Sequence, residues 1–487
     1  MEIISKRNPV KMYENNYDNT EPIVVQGFTV PTKAQPSASG YDVGKQDQPN
    51  ASGEFHKGEI QPKLYKDVGF AIAFLLHLGG IVVVTTLYGS SVNSENEGSN
   101  NYMGVAACVG VSGTFSITLS TFALGWMMQF AEQVVKMALM FSIGTSLALG
   151  ILGLMFGQMM IGLISLASAV CGCCYAYMVW NRIPFAAANL NTALTGVRQN
   201  LGLAVVAYIF LAIAFVWSIW WSVAATGTMS VLGEGALFLF FLSFYWTHQV
   251  IQNTIHVTSA GVIGTWWFDP SEASSCWSSA VTDSFRRATT YSFGSICFGS
   301  LLVAVVQALR AMNEHARSQE EFQMLVCLID CLLGCIQGFI EYLNKWAYIY
   351  VGLYGYGYLD AGRNVWTLFQ TKGWTTIITD NLIENVLFMI SVVIGLATGI
   401  VGLVMTMFND DIFYGVGVED PSMLGFMLGF FTGLIMSNIL MSVVGSAVNT
   451  VIVCFAESPN EFQTNHPKLS DEMRCAWRKA YPEECKY

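Results

Sequence analysis

Residues 338–363 read GFIEYLNKWAYIYVGLYGYGYLDAGR. The stretch sets Glu341, Asn344 and Lys345 among Tyr342, Tyr348, Tyr350, Tyr354, Tyr356 and Tyr358. On a helix, Glu341, Lys345 and Tyr348 share one face, because residues three or four apart are neighbours. An apolar run leads into it from Gln323, broken by Asp330. A polar, aromatic face at membrane depth is costly unless it lines a cavity or packs against other helices. The stretch therefore reads as part of a solute pathway. Its chemistry would be cation recognition: aromatic faces attract cations, and quaternary ammonium ions suit aromatic cages because they have no donor to satisfy. Tyr245 and Trp246, in an earlier run, with Tyr348 and Tyr354 are the rings for such a cage. Ordinary helix packing is the competing reading of each. Glu341 would balance the cation, pair with Lys345 or sit solvated at the membrane edge. Asp330, deep in an apolar run, is a functional candidate by default.

No enzyme constellation accompanies these residues. The chain has no HExxH, no Walker A sequence and no GxSxG, so neither catalytic residues nor a cofactor is expected. Of six histidines, only His248 and His256 fall on one helical face. They suit hydrogen-bonded structural roles or a proton relay. Cys327, Cys331 and Cys335 share a face but have no histidine obviously near, and free cysteine behaves as a small hydrophobe. They read as packing, with no metal site.

Composition dictates the elements that hold these residues. The 487 residues are 53% hydrophobic and 12% charged, with mean hydropathy +0.47, whereas soluble domains carry about 25% charged residues. Apolar runs of about 20 residues each span a bilayer as helices, and no ten-residue alternation suggests a barrel. The expected fold is all-α, a polytopic membrane protein with about ten spans. They start near Val68, Met103, Met137, Met159, Leu201, Ala236, Phe293, Gln323, Leu382 and Met423, and the last is a candidate for a break near Gly445. Trp266, Trp267 and Phe268 are expected to close the sixth at the membrane interface. Lys57, Lys63 and Lys66 precede the first span and no Lys or Arg follows it in SSVNSENEGSN. The positive-inside rule then puts both termini in the cytosol. Arg310 and Arg317 resist, since this count places their connection outside. Residues 1–64 are too polar to fold and read as a disordered cytosolic tail. Residues 65–457 form the membrane domain and 458–487 a cytosolic C-terminal tail. The net charge of −11 argues against a nucleic-acid partner.

FIEYLNKWAYIYVGLYG resembles the signature of the choline transporter-like family at Phe339, Ile340, Leu343, Asn344, Lys345, Ala347, Tyr348, Ile349, Tyr354 and Gly355. SFRRATTYSFGSICFGSLLVAVVQALR resembles a second family block, with matches that include Gly294, Gly299, Gln307 and Arg310. Trp246 and Thr247 also fit. The short first outer loop and long polar N-terminal segment look like the fungal, plasma-membrane branch. Asp330 has no counterpart in the family pattern. The resemblance implies ten spans, cytosolic termini and transport of choline or a related small organic cation by alternating access. The partners would be that solute and the lipid bilayer. On this reading Tyr245, Trp246, Tyr348 and Tyr354 face the solute, Gln307 and Asn344 orient it, and Glu341 is its counter-charge. The path would lie between spans six, seven and eight. The alternative is a non-transporting membrane protein acting in lipid organisation or trafficking.

Overall fold

The computed structural model describes residues 24–25, 28–30, 57–60, 63–88, 102–232, 237–317, 323–372, 382–408, 413 and 420–482. Most of the stretch expected to be a disordered tail lies outside them. Its described part is three short antiparallel strands, β1 (Val24–Val25), β2 (Phe28–Val30) and β3 (Lys57–Ile60). Everything else regular is helical.

Among the described residues, ten helices are long enough to cross a bilayer. They are α1 (Val68–Tyr88), α2 (Tyr102–Gln129), α3 (Ala131–Met155), α4 (Met159–Val179), α6 (Gly202–Leu232), α7 (Leu237–Phe268), α9 (Phe293–Arg317), α10 (Gln323–Tyr354), α12 (Leu382–Phe408) and α13 (Pro421–Glu457). Among the described residues, nine helical stretches are also apolar enough by composition, and α7 is the exception. Its 32 residues include Gln249, Gln252, Asn253 and His256, and it packs against α6, α8, α9, α10 and α13. A polar helix survives at membrane depth because its neighbours, not lipid, meet its side chains. This is an all-α polytopic membrane protein.

Five shorter helices occupy the face on which α1 begins and α13 ends: α5 (Ile183–Gln199), α8 (Ser279–Thr289), α11 (Tyr358–Lys372), α14 (Pro459–Asn465) and α15 (Pro467–Ala480). We call this the terminal face. The last two fall within the stretch read from sequence as a tail, and α15 packs on α5. There the Trp477 indole is buried and donates to Asn189 Oδ1 at 2.8 Å. At the end of α7 the same segment covers Trp266 and Trp267, which are fully buried. Trp267 stacks on Phe462 with centroids 3.8 Å apart, and Trp266 stacks on His466 at 4.1 Å. Asn465 and His466 donate to the last carbonyls of α7, those of Trp266, Trp267 and Phe268, at 2.9–3.0 Å. Helix C-terminal carbonyls need such partners.

The membrane domain is densest where α12 meets α13. Gly395, Gly399 and Gly402 face Gly425, Gly429 and Gly433, and a Cβ at Gly402 would lie 2.0 Å from the Gly425 carbonyl oxygen. Small residues at three- and four-residue steps let membrane helices approach this closely. The α13 helix continues unbroken through Gly445, against the expected break. Further out, α3 and α4 pair chiefly with each other at the periphery. The EQVVK sequence forms the first turns of α3. The α10–α11 turn depends on Gly355, whose φ of +64° is a conformation glycine adopts without a Cβ penalty.

Candidate functional site

The helices α7, α9, α10, α12 and α13 enclose a cavity of ≈ 540 Å³. Helix α7 contributes Gln249, Gln252, Asn253 and His256, spaced by three and four residues so that one face points inward. From α9 come Val303 and Gln307, and from α10 come Glu341, Asn344 and Lys345. Helices α12 and α13 complete the wall with Glu384, Phe388, Asn438, Ser442, Ser446 and Asn449 among others. The wall is therefore rich in carboxamides. It carries two carboxylates against one ammonium, with Phe388 as its one phenyl or phenol ring.

Hydrogen bonds hold these groups in place. Asn344 is 4% exposed. Its Nδ2 donates to the Gly299 carbonyl at 3.0 Å, and its Oδ1 accepts from the Tyr358 hydroxyl. Gln249 Nε2 donates to Gln307 Oε1 at 3.3 Å, and Asn253 donates to Ser300 at 3.0 Å. His256 bridges Ser446 Oγ, at 2.5 Å, and the Lys345 carbonyl, at 3.0 Å. His248 instead meets Ser218 on α6, at 3.2 Å. Lys345 Nζ lies 2.6 Å from Glu384 Oε1, and Glu341 accepts from Gln337 at 2.7 Å. The intrahelical Glu341–Lys345 pair weighed from sequence is thus replaced by a partner from α12.

The structure separates the seven residues named from sequence. Gln307, Glu341 and Asn344 line this cavity. Trp246 does not: its indole donates to the Cys297 carbonyl at 3.0 Å, and its ring packs against Phe74 and His77. Tyr348, 0% exposed, donates to the Ile296 carbonyl at 3.0 Å and lies 3.3 Å from Ser300, one layer behind the wall. Tyr354 lies near the terminal face, where it and Tyr350 donate to Glu457. Tyr245 lines a second cavity, described next. The four rings do not converge into a cage, because Trp246 packs against Phe74 and His77, Tyr348 against α9, Tyr354 beside Glu457, and Tyr245 on another wall. Sequence reasoning also missed α12 and α13. The signal was there: Asn438, Ser442, Ser446 and Asn449 recur at three- and four-residue steps in a largely apolar 37-residue helix.

A second cavity, ≈ 400 Å³, lies further from the terminal face between α7, α9 and α10. Tyr245, Gln307, Arg310, Glu314, Cys327, Asp330 and Gln337 are on its wall, and Gln307 belongs to both cavities. Arg310 Nε donates to Asp330 Oδ1 at 2.9 Å and Nη1 to Gln337 Oε1 at 2.8 Å. Arg310 is therefore a helix residue held beside a carboxylate, which accounts for its disagreement with a charge rule counted over loops. On α10, Asp330, Gln337, Glu341 and Asn344 form one polar stripe linking the two spaces. Among the described residues, no three His, Cys, Asp or Glu side chains converge as a metal site.

On the terminal face, Asp67 precedes α1 with φ +50°, unusual for a residue with a side chain. Its carboxylate accepts from the Tyr358 backbone N–H at 2.8 Å and the Ser295 hydroxyl at 2.6 Å. Tyr358 then reaches Asn344. A continuous chain of hydrogen bonds thus joins the start of α1 to the cavity wall. A side chain at Gly299 would collide with it, since a Cβ there would lie 2.4 Å from both the Tyr348 hydroxyl and the Tyr358 ring.

Residues 163–460 match the family model described as plasma-membrane choline transporter. That region runs from α4 into α14 and contains every residue on either cavity wall. Protein PNS1 of Mycosarcoma maydis is 28% identical over 467 residues, spanning 88% of this chain and 86% of that protein. Protein PNS1 of Gibberella zeae is 28% identical over 494 residues, with 91% and 88% covered. A CTL-like protein of Dictyostelium discoideum is 25% identical over 382 residues, with 74% and 68% covered.

Proposed function

The chain belongs to the plasma-membrane choline transporter family, and from that premise we propose that it moves a small, singly charged organic cation across the plasma membrane through the carboxamide-lined cavity. The observation that carries this reading is the wall itself. Its volume falls in the range of small-molecule sites, and Glu341 and Glu384 outnumber Lys345. A monovalent cation would balance that excess. Gln249, Gln307, Asn344 and Asn449 would orient the solute through carboxamide oxygens and N–H groups. Glu341 supplies the counter-charge. Tyr348 and Tyr358 act from behind by holding Ser300 and Asn344. The family's character as plasma-membrane choline transporters supports choline as one member of the solute class. A wall of carboxamides with one phenyl ring also suits amines that keep N–H or O–H donors.

The path runs between α7, α9 and α10, with α12 and α13 closing it. Movement is by alternating access, exposing the cavity to each side in turn. The basic residues Lys66, Lys136, Arg182, Arg198, Arg286 and Arg287, at or near the terminal ends of the helices, support a cytosolic terminal face.

Purified protein in liposomes should take up at least one labelled monovalent amine from a panel of choline, its demethylated analogues and other small amines. Uptake should saturate, and Asn344→Ala should reduce it while the protein still inserts. Uptake no faster than in empty liposomes for the whole panel would overturn the proposal.

A further inference from the structure

The second cavity contains a charge arrangement that the transport reading does not use. Two carboxylates, Glu314 and Asp330, and one guanidinium, Arg310, are on its wall. Asp330 holds Arg310 by two contacts, Nε to Oδ1 at 2.9 Å and Nη2 to Oδ2 at 3.4 Å. Paired N–H donors on one carboxylate fix the guanidinium in place. The free side of Arg310 is turned to Gln337 Oε1, and Gln337 Nε2 donates onward to Glu341 in the first cavity. Gln307 stands on both walls and accepts from Gln249. The two spaces are thus in series along α9 and α10, separated by carboxamides whose polar atoms are already directed.

Without Asp330, the unopposed charge of Arg310 would cancel that of Glu314 and lie one hydrogen-bonded residue from Glu341. We infer that the cavity of Tyr245, Gln307, Arg310, Glu314, Asp330 and Gln337 is a second cation site in series with the first, and that Asp330 confers its sign by neutralising Arg310. The ligand class is a small monovalent organic cation, which would occupy this site before Gln307 hands it to the first cavity. The inference rests on the transport reading for its purpose, but the local field it asserts is measurable without transport. Asp330 is a specificity-determining residue here. It is not a group that must touch the solute.

Cys327 is an exposed thiol on the same wall and reports that field directly. Full-length protein in liposomes would be treated with trimethylammonioethyl methanethiosulfonate, a cation, or sulfonatoethyl methanethiosulfonate, an anion. The rate at Cys327 would be read by peptide mass spectrometry. The wild type should react faster with the cation. Asp330→Asn should lower the cation-to-anion rate ratio by roughly tenfold, the scale set by one unit charge about 6 Å away, screened by water at a dielectric of about 80 and acting oppositely on the two reagents. The double variant Arg310→Gln/Asp330→Asn, which removes both charges and leaves Glu314, should restore it. A pair that served only to join α9 to α10 would not be rescued by deleting both members. A ratio unchanged in Asp330→Asn, or equally low in the single and double variants, overturns the inference. If the ratio behaves as stated while no amine enters the liposomes, the transport reading fails and the site stands. Uptake with an indifferent ratio means the reverse.

Discussion

Replacing Glu341 by Gln tests whether the first cavity recognises charge. Treated as a sphere, the ≈ 540 Å³ space puts a solute at its centre about 5 Å from the wall, where one unit charge contributes about 3 kcal/mol at an effective dielectric of about 20. Glu341 is exposed, and exposed charges are screened, so about 1–2 kcal/mol should survive, or roughly a five- to thirtyfold rise in KM for a monovalent cation. Gln337 can still donate to the new amide, so packing is retained. The same reasoning gives the opposite sign for Lys345→Gln. That change removes the ammonium 2.6 Å from Glu384, leaves two carboxylates unopposed and should lower KM for the cation. The assay is initial-rate uptake over a concentration series in liposomes, with a neutral isostere of the same solute as control. The neutral compound should be nearly indifferent to both changes. If both variants shift KM in the same direction, or Glu341→Gln changes it by less than about twofold, charge recognition in this cavity is refuted.

Two further expectations concern the groups behind the wall. Tyr358→Phe leaves Asn344 Oδ1 without its hydroxyl donor. A buried acceptor without a partner costs about 1–3 kcal/mol, so thermal stability should fall modestly and KM should rise while the maximal rate is kept; an unchanged KM would separate Tyr358 from the site. His466, outside the spans, has its pKa lowered from the usual 6.5 chiefly by burial, opposed by its bond to the Trp266 carbonyl. The neutral form is therefore the docked form. Its contribution is complete above pH 6.5 and is lost as pH falls toward the lowered value. Proteolysis near Lys468 should accelerate on acidification below that point, and acceleration on raising pH instead would contradict the assignment.

Apart from α7, the long helices among the described residues were legible because a span is a property of composition: about 20 apolar residues announce themselves wherever they lie. The short helices were not, because they are amphipathic and interrupted. Helix α5 buries Phe185, Leu190, Leu194 and Val197, yet Arg182 just before it and Arg198 in its last turn made the stretch read as a connection. Pro184 in its first turn was the overlooked start signal. Pro459 and Pro467 mark α14 and α15 in the same way. The site was legible by helix but not by side chain. Tyrosines and tryptophans attracted notice because they are conspicuous, whereas the structure directs Trp246 to the Cys297 carbonyl and Tyr348 to that of Ile296. Which face of an apolar helix turns inward is decided by its neighbours, and a single chain of letters shows that only where polar residues repeat.

That repetition also explains why the route and the fold depend on the same contacts. The α10 stripe from Asp330 through Gln337 and Glu341 to Asn344 would be intolerable against lipid. Arg310 and Gly299 of α9 and Tyr358 of α11 accept it. The Tyr358 backbone is in turn held by Asp67, whose left-handed backbone must be maintained by its surroundings. On the alternating-access proposal, a movement of α10 relative to α9 would strain the chain of contacts from Asn344 to Asp67. Release of Asp67 would relax its backbone and free the α11 N-terminus together. The residue before the first span is therefore placed to couple the α11 N-terminus to the cavity wall without lining it.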